Sequence, residues 1–467
     1  MSKLIIYYII NYNLKEQIKM KYNSAFNFKL IYKLSCLIVI FILCSYKSSF
    51  SKDTLSVKHA IEIALENNYS ISIAKNQTLI AEKNYNLGNA GFLPKLDLTG
   101  QQNWGLNNSQ QQYANDSLNI KNGASSNSFS AGISLNWTIF DGMNMFINYN
   151  RLNELKDTSY LQLKLKIENM ISKILDTYYS IIKESIMYFV YNESVSLSEE
   201  RLRIIKDKFN VGTASKIEML QSQVDLNADK SKLLTQQTVI KNLKTTLNQI
   251  LARDLKIDYD VAQYLDFRND FILSQIIDLM NKNNTSLMIA DKNKNIASLN
   301  LDISESKLFP KLGLYANYNY LNSQTPTDYT RLNINSGISY GISLSYNIFN
   351  GLISKTEIEN AKIIFENNNI SYNDVKSQLE KDLTNNFNDH QKNLELVKFE
   401  EENIIISKEN LDLAFERLRV GTISNLELRE AQLSYESSQS RYTSAIYNAK
   451  VSEKELLRIS GQLVGSK

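Results

Sequence analysis

The chain has 467 residues, 43% of them apolar, enough to bury a large core or to extend as a long assembly. With only 15 Gly and 3 Pro it has few places for tight turns, so long elements are expected. The formal charge of +3 becomes −3 once residues 1–51, with seven Lys and one Glu, are set aside, so the basic balance is no argument for nucleic-acid binding.

Residues 1–51 read as a signal peptide, with Met20 as an alternative start. Lys21, Lys29 and Lys33 precede an apolar run from Leu34 to Leu43, and Ser49-Phe50-Ser51 offers a small-x-small cleavage site. The run is short for a membrane span, which is the competing reading. Phe41-Ile42-Leu43 is too bulky before Cys44 for a lipoprotein signal. Cys36 and Cys44 are the two cysteines, so the chain from about Lys52 onward has no thiol for a disulfide or a metal site.

From Ser56 to Ala90 the sequence predicts helix, with Ala60, Ile61, Ala64 and Leu65 on one face, and Phe92-Leu93-Pro94 stops it. Alternation follows. Leu96, Leu98, Gly100, Gln102, Trp104 and Leu106 interleave with polar residues over about 95–106. After a polar loop (about Asn107 to Asn127), Phe129, Ala131, Ile133, Leu135, Trp137 and Ile139 do the same over about 128–140. Phe140-Asp141-Gly142 closes this strand pair.

A helical hairpin is predicted over about 143–251. Its first arm, about Met143 to Phe209, would span roughly 100 Å at the usual rise per residue. Gly212, alone in a long helix-permissive stretch, marks the tip in Val211-Gly212-Thr213, where a left-handed residue ends one helix. Ser215-Lys216-Ile217-Glu218 then reads as a capping box that starts the next. Residues 253–270 are less regular and read as a small lateral subdomain.

The chain then repeats itself. Residues 52–270 form a first structural repeat and residues 271–467 a second. Asn67-Asn68 returns as Asn283-Asn284, and Phe92-Leu93-Pro94 as Leu308-Phe309-Pro310, both offset by 216 residues. Phe140-Asp141-Gly142 returns as Phe349-Asn350-Gly351, and Val211-Gly212-Thr213 as Val420-Gly421-Thr422, offset by 209. The difference falls in the loop between the two strands of each pair, where length is least constrained. The second strands are expected at about 311–321 and 336–349, and the second hairpin at about 352–460. Ser424-Asn425-Leu426-Glu427 repeats the capping box, and Val397, Ile404, Leu411 and Leu418 recur at heptad spacing.

Four strands with one apolar and one Ser/Asn/Thr face match the pattern of an outer-membrane barrel, with Trp137, Phe140, Tyr346 and Phe349 where an interfacial aromatic girdle would lie. Four strands cannot close on themselves, and an open edge is not tolerated in lipid, so the barrel must be shared among copies. Two copies give eight strands and a filled interior; three give twelve and leave room for a channel.

Over Lys52 to about Gly461 the chain resembles the TolC family of outer-membrane efflux proteins (outer membrane factors). The strand entries at Leu93-Pro94 and Phe309-Pro310, the exits at Phe140-Asp141-Gly142 and Phe349-Asn350-Gly351, and the two Val-Gly-Thr tips carry the resemblance. It implies an α+β membrane protein: a homotrimer whose 12-stranded outer-membrane β-barrel, four strands per chain, is continuous with a long periplasmic α-helical coiled-coil barrel. The implied role is a porin-like exit duct for tripartite efflux or type I secretion. Its partners would be outer-membrane lipid, a periplasmic adaptor (membrane fusion protein) and an inner-membrane pump of resistance-nodulation-division, ABC or major-facilitator type, with no nucleic acid.

By the same resemblance Val211, Gly212, Thr213, Arg419, Val420, Gly421 and Thr422 are adaptor-docking tips, and Glu218, Glu427 and Glu430 line the closed periplasmic entrance. Glu218 and Glu427 also stand as capping residues, and both readings can hold. Some members of that family latch the closed mouth with polar partners near the second tip; here Leu418 and Ile423 stand where such partners would be useful, which argues against that latch. Arg201, Arg203, Lys206, Lys208 and Arg417 are placed to stabilise helix C-termini.

An enzyme is not expected, nor a cofactor or metal. His59 and His390 are far apart in sequence, no cysteine follows residue 52, and no glycine cluster forms a phosphate loop. Glu400-Glu401-Glu402 reads as a solvated helix face. A periplasmic coiled-coil adaptor or scaffold without a pore is the alternative, though such a protein typically carries one hairpin rather than two, each behind a membrane-type strand pair.

Overall fold

The computed structural model describes residues 54–262, 264–325 and 331–464. The signal segment and both cysteines lie outside the described residues. In chain order the elements are β1 (Thr54–Leu55), α1 (Val57–Asn67), α2 (Tyr69–Asn84), α3 (Leu87–Ala90), β2 (Lys95–Gln112), β3 (Leu118–Phe140), α4 (Asn144–Asn210) and α5 (Lys216–Ile250). They continue as β4 (Asp260–Val261), α6 (Leu273–Asn283), α7 (Thr285–Ser306), β5 (Lys311–Gln324), β6 (Leu332–Ser345), α8 (Ile353–Val420) and α9 (Asn425–Ile459).

Residues from both repeats enter each of two compact units. One comprises the chain up to residue 73, residues 164–285 and residues 377 onward; the other comprises 74–163 and 286–376. The units therefore interleave along the chain and do not coincide with its two halves.

The second unit holds the sheet, in the order β2-β3-β5-β6, antiparallel throughout. Its register aligns the apolar alternation of all four strands. Leu96 pairs with Leu135, Leu135 with Ala316 and Ala316 with Tyr340; two residues along, Leu98, Ile133, Tyr318 and Ile338 form the next row. The intervening rows, such as Asp97, Ser134, Asn317 and Ser339, put polar residues on the opposite face. Because side chains alternate with a period of two, a slip of one residue would destroy this arrangement. β2 and β6 are left as open edges.

The strands differ from expectation at their ends. Most of the polar stretch 107–127 continues the β2–β3 ladder, down to Gln112 opposite Leu118. Backbone pairing needs no apolar face, so alternation reported only the part of each strand that has one. Conversely, β6 stops at Ser345, opposite Lys311 where β5 begins, and Tyr346 to Phe349 have no strand partner among the described residues. No helix among the described residues is long and apolar enough to cross a membrane.

The first unit packs the long hairpins. Its largest cluster joins Ile174, Tyr178, Ile181 and Ile182 of α4 to Leu247 and Leu251 at the end of α5, and to Tyr259, Val261 and Leu265 of the irregular segment. That segment is tied down by the β1–β4 pair and by the Tyr178 hydroxyl, which accepts from the Ala262 amide at 3.2 Å and donates to the Leu55 carbonyl at 2.7 Å. His390 is fully buried, its two ring nitrogens each 3.0 Å from Ser452 Oγ and the Arg268 carbonyl oxygen, so it braces the same region.

The repeated Asn68 and Asn284 have a common job. Each is buried at a break between two helices and donates from Nδ2 to the last carbonyl of a returning arm: Asn68 to Ile250 at 2.7 Å, Asn284 to Ile459 at 2.8 Å. A buried helix C-terminus has carbonyls that must find donors, and an amide at a helix break supplies one. Asn284→Ala should therefore destabilise the protein by about 1–3 kcal/mol in thermal or denaturant unfolding, because the Ile459 carbonyl stays buried. A neutral effect would show that this carbonyl is satisfied in another way.

Candidate functional site at the hairpin tips

The two tips have the same construction. Gly212 and Gly421 both sit at φ +79°, in the left-handed region. The amide of Thr213 donates to the Lys208 carbonyl at 2.8 Å, and that of Thr422 to the Arg417 carbonyl at 2.9 Å. Each threonine hydroxyl donates to the same carbonyl at 3.1 Å, so side chain and backbone together close the helix end. A Cβ on Gly212 would meet nothing within 4 Å, and one on Gly421 only Lys208 Nζ at 3.9 Å. Backbone conformation, not space, demands glycine here.

Both capping boxes form. Glu218 N donates to Ser215 Oγ at 3.2 Å while the Glu218 carboxylate accepts from Ser215 N at 2.7 Å. Glu427 and Ser424 repeat this at 3.3 and 2.7 Å. The hydrogen bonds from the Ser424 backbone and side chain hold the Glu427 carboxyl below its ordinary range. Glu430 is exposed one turn beyond Glu427.

Within this unit the two hairpins are packed together. Leu418, Leu411 and Leu428 are buried against Ile204 and Ile205, with Ile423 packed on the edge of the cluster. Leu418 is thus a core residue. The basic residues divide. Lys208 Nζ donates to the Leu418 carbonyl, capping the C-terminus of the other hairpin's arm rather than its own. Arg419 reaches Glu416 at 3.2 Å and Glu200 at 3.7 Å.

Arg201 instead belongs to a buried polar clamp that the sequence pattern does not reveal. Arg429 on α9 forms a bidentate pair with Asp229 on α5, at 2.7 and 2.9 Å. Ser198 on α4 donates to Asp229 at 2.6 Å, and Gln432 donates to Ser198 at 2.9 Å. Fully buried Arg201 pairs with Asp225 at 2.8 Å. Lys232 and Glu436 close the series at 2.8 Å. The signal was present as three polar stripes at helical spacing: Ser194, Ser198, Arg201; Asp225, Asp229, Lys232; Arg429, Gln432, Glu436. Each stripe alone resembles an ordinary solvated face.

Exposed apolar residues crown the assembly. Val211 and Val420 are 75% and 74% exposed, and the equivalent residues just past each tip, Ile217 and Leu426, 78% and 74%. Four apolar side chains thus stand in water beside two rigid turns. The last two were not anticipated, although their repeat-related positions are readable.

The model of the family described as outer membrane efflux protein matches residues 60–253 and 276–462. The chain belongs to that family. It is therefore an efflux-type protein of the outer membrane, extending into the periplasm, and family and fold are those of channel proteins. Outer membrane protein TolC of Vibrio cholerae is 26% identical over 176 residues, 37% of this chain and 38% of that relative. The matched region thus spans well under half of the relative's length. The fold is that of the VceC outer membrane protein of Vibrio cholerae (13% identity, 87% of this chain and 96% of that one, TM-score 0.72). It is also that of the CmeC outer membrane channel of Campylobacter jejuni (15% identity, 95% and 94%, TM-score 0.71).

Burial raises the carboxyl of Asp229, but the hydrogen bonds from Arg429 and Ser198 and the charge of Arg429 outweigh it, leaving the group below its ordinary range. A lowered value means that the clamp contributes fully above the unfolded-state pKa, about 3.9, and is lost as pH falls through the folded value. Asp229→Asn should cost about 3 kcal/mol at pH 7, since Arg429 then loses its charge partner, and the gap from the parent should narrow below about pH 4. Unfolding curves at the two pH values check both statements; a gap independent of pH contradicts the assigned charge state.

Proposed function

We propose that this chain is the outer-membrane exit duct of a tripartite efflux or type I secretion system. It passes substrates from an inner-membrane pump through a periplasmic adaptor to the exterior. One observation carries the reading: four strands share one apolar face in register, and both edges of their sheet are open. In an outer membrane those edges need partners, and further copies of the chain provide them. Three copies form a twelve-stranded barrel with its apolar face to lipid and its Ser/Asn/Gly face to water, and the long hairpins form a helical barrel in the periplasm.

The tips dock the adaptor. Val211, Gly212 and Thr213, with Arg419, Val420, Gly421 and Thr422, present rigid turns flanked by exposed apolar side chains, the kind of surface an amphipathic helical hairpin covers. Ile217 and Leu426 extend that surface. The pump is of resistance-nodulation-division, ABC or major-facilitator type. Glu218, Glu427 and Glu430 ring the periplasmic entrance, where three copies around an axis attract cations and repel one another as the mouth narrows. The exposed Glu427 and Glu430 suit that role, and the capping duty of Glu427 does not conflict with it.

Chemical crosslinking of the detergent-extracted protein should give a three-copy species, and a strictly monomeric one contradicts the shared barrel. Gly212→Glu combined with Gly421→Glu places a Cβ in the left-handed region, costing roughly 1–2 kcal/mol at each tip. Assembly should survive, because neither residue takes part in the sheet, while adaptor crosslinking and efflux should fall together. Normal efflux in the double variant removes the docking assignment.

The carboxylates have their own signature. In planar bilayers Glu427→Gln with Glu430→Gln should lower cation preference and blunt block by multivalent cations from the periplasmic side. Aspartate at both positions should restore most of it. Unchanged selectivity with a lower melting temperature would leave Glu427 as a cap alone.

A further inference from the structure

The extracellular part of the sheet carries a feature that the duct reading leaves unused. Pairing of β3 with β5 ends at Asn127 opposite Gln324, and pairing of β5 with β6 ends at Gln324 opposite Leu332. β2 and β3 run on alone as a two-stranded ribbon from Gly105 opposite Ser126 to Gln112 opposite Leu118. At about 3.4 Å per residue, the strand from Leu312 to Gln324 rises roughly 40 Å, and a tilt of about 40° reduces this to roughly 30 Å, close to the height of an outer-membrane apolar band. The row Trp104, Asn127, Gln324 therefore marks the upper limit of the lipid, and the ribbon stands above it.

The ribbon is well built. Its turn is closed by the Tyr113 amide donating to the Ser117 carbonyl at 3.0 Å, and a bulge at Asn108 is held by the Gly123 amide on Asn108 Oδ1 at 2.7 Å. Its composition is unusual. Residues 101–128 include seventeen Asn, Gln and Ser among twenty-eight, with Asp116 and Lys121 the two charged residues.

Where the ribbon leaves the sheet, the step beside the end of β5 forms a cleft of about 520 Å³, lined by Trp104, Leu106, Ser125, Asn127 and Gln324 together with Gly105 and Ser126. The pairing puts Trp104, Leu106, Ser125, Asn127 and Gln324 on the apolar, outward face of the sheet. Trp104 is 76% exposed. Asn127 is oriented by a hydrogen bond from Gln102 Nε2 to its Oδ1, which leaves its amide N–H donors available.

We propose that this cleft binds the neutral sugar units of the glycolipid that forms the outer leaflet around the protein. An exposed indole face offers a platform for the C–H face of a pyranose, and amides with hydroxyls on both sides meet its ring hydroxyls. The lining itself carries no charged side chain, which favours uncharged sugars over the phosphate groups of the same lipid. The height matches, since the cleft lies at the level where acyl chains give way to saccharide. The inference rests on the apolar face of the sheet meeting lipid, and its test does not use oligomeric state.

The chain has two tryptophans, Trp104 and Trp137, so Trp137→Phe leaves Trp104 as the sole reporter. This protein, purified in detergent, is titrated with the delipidated, dephosphorylated saccharide released from the host's outer-membrane glycolipid, and separately with the lipid portion alone. The saccharide should give a saturable change in Trp104 fluorescence, and Asn127→Ala with Gln324→Ala should weaken it roughly ten-fold. Circular dichroism and the crosslinking pattern of that variant should match the parent. A response to the lipid portion but not to the saccharide would make Trp104 a plain interfacial anchor and overturn the proposal. No response to either, or an equal response in the double variant, also overturns it. A monomeric protein that still binds the saccharide would instead count against the shared barrel and leave the cleft in place.

Discussion

Backbone hydrogen bonding at the edges of one sheet is the constraint on which the rest of this protein depends. Within the β2–β3–β5–β6 sheet each strand is hydrogen-bonded to its neighbours, whereas the outer edges of β2 and β6 have no strand partner among the described residues. In water such edges are a hazard; in lipid each unpaired group costs several kcal/mol. The same sheet places Ile338, Tyr340, Ile342 and Leu344 in the open, each more than 70% exposed. An apolar face and two unsatisfied edges have one common remedy, which is closure with further copies in a membrane.

The hairpins follow a different logic. The moderately polar arms α4, α5, α8 and α9 are held by narrow apolar seams and by charges placed between them. Near the tips the Leu411, Leu418 and Leu428 cluster excludes water, and the Arg429–Asp229 and Arg201–Asp225 pairs sit behind it. Buried pairs of this kind add little net stability compared with apolar residues of similar size, but breaking one is costly. They therefore specify how the arms register more than they strengthen the unit. That leaves the tips themselves free to be short, rigid and apolar on the outside.

Much of this was legible in the residues. The lone tip glycines and the Ser-x-x-Glu boxes each have a local physical cause, and each appears where spacing predicted it. The strand faces were legible for the same reason, since period-two alternation is a direct record of one apolar and one polar face. The length of β2 and β3 was not, because a ribbon polar on both faces leaves no hydropathic trace. The clamp was missed for a related reason: Ser198, Asp229 and Arg429 are distant in sequence, and three polar stripes reveal their common burial only once the arms are folded together. The repeated Asn68 and Asn284 were visible as a recurrence, but their role needed the C-termini that they cap.

The central claim, that one face of the sheet meets lipid and the other meets water, is open to direct measurement because the chain beyond residue 52 contains no native cysteine. Single cysteines introduced along β6 in intact outer membranes can be exposed to a membrane-impermeant maleimide. Asn335, Gly337, Ser339 and Ser343 should label, while Ile338, Tyr340, Ile342 and Leu344 should not. Uniform labelling at all eight positions, or labelling of the apolar set alone, would contradict the account.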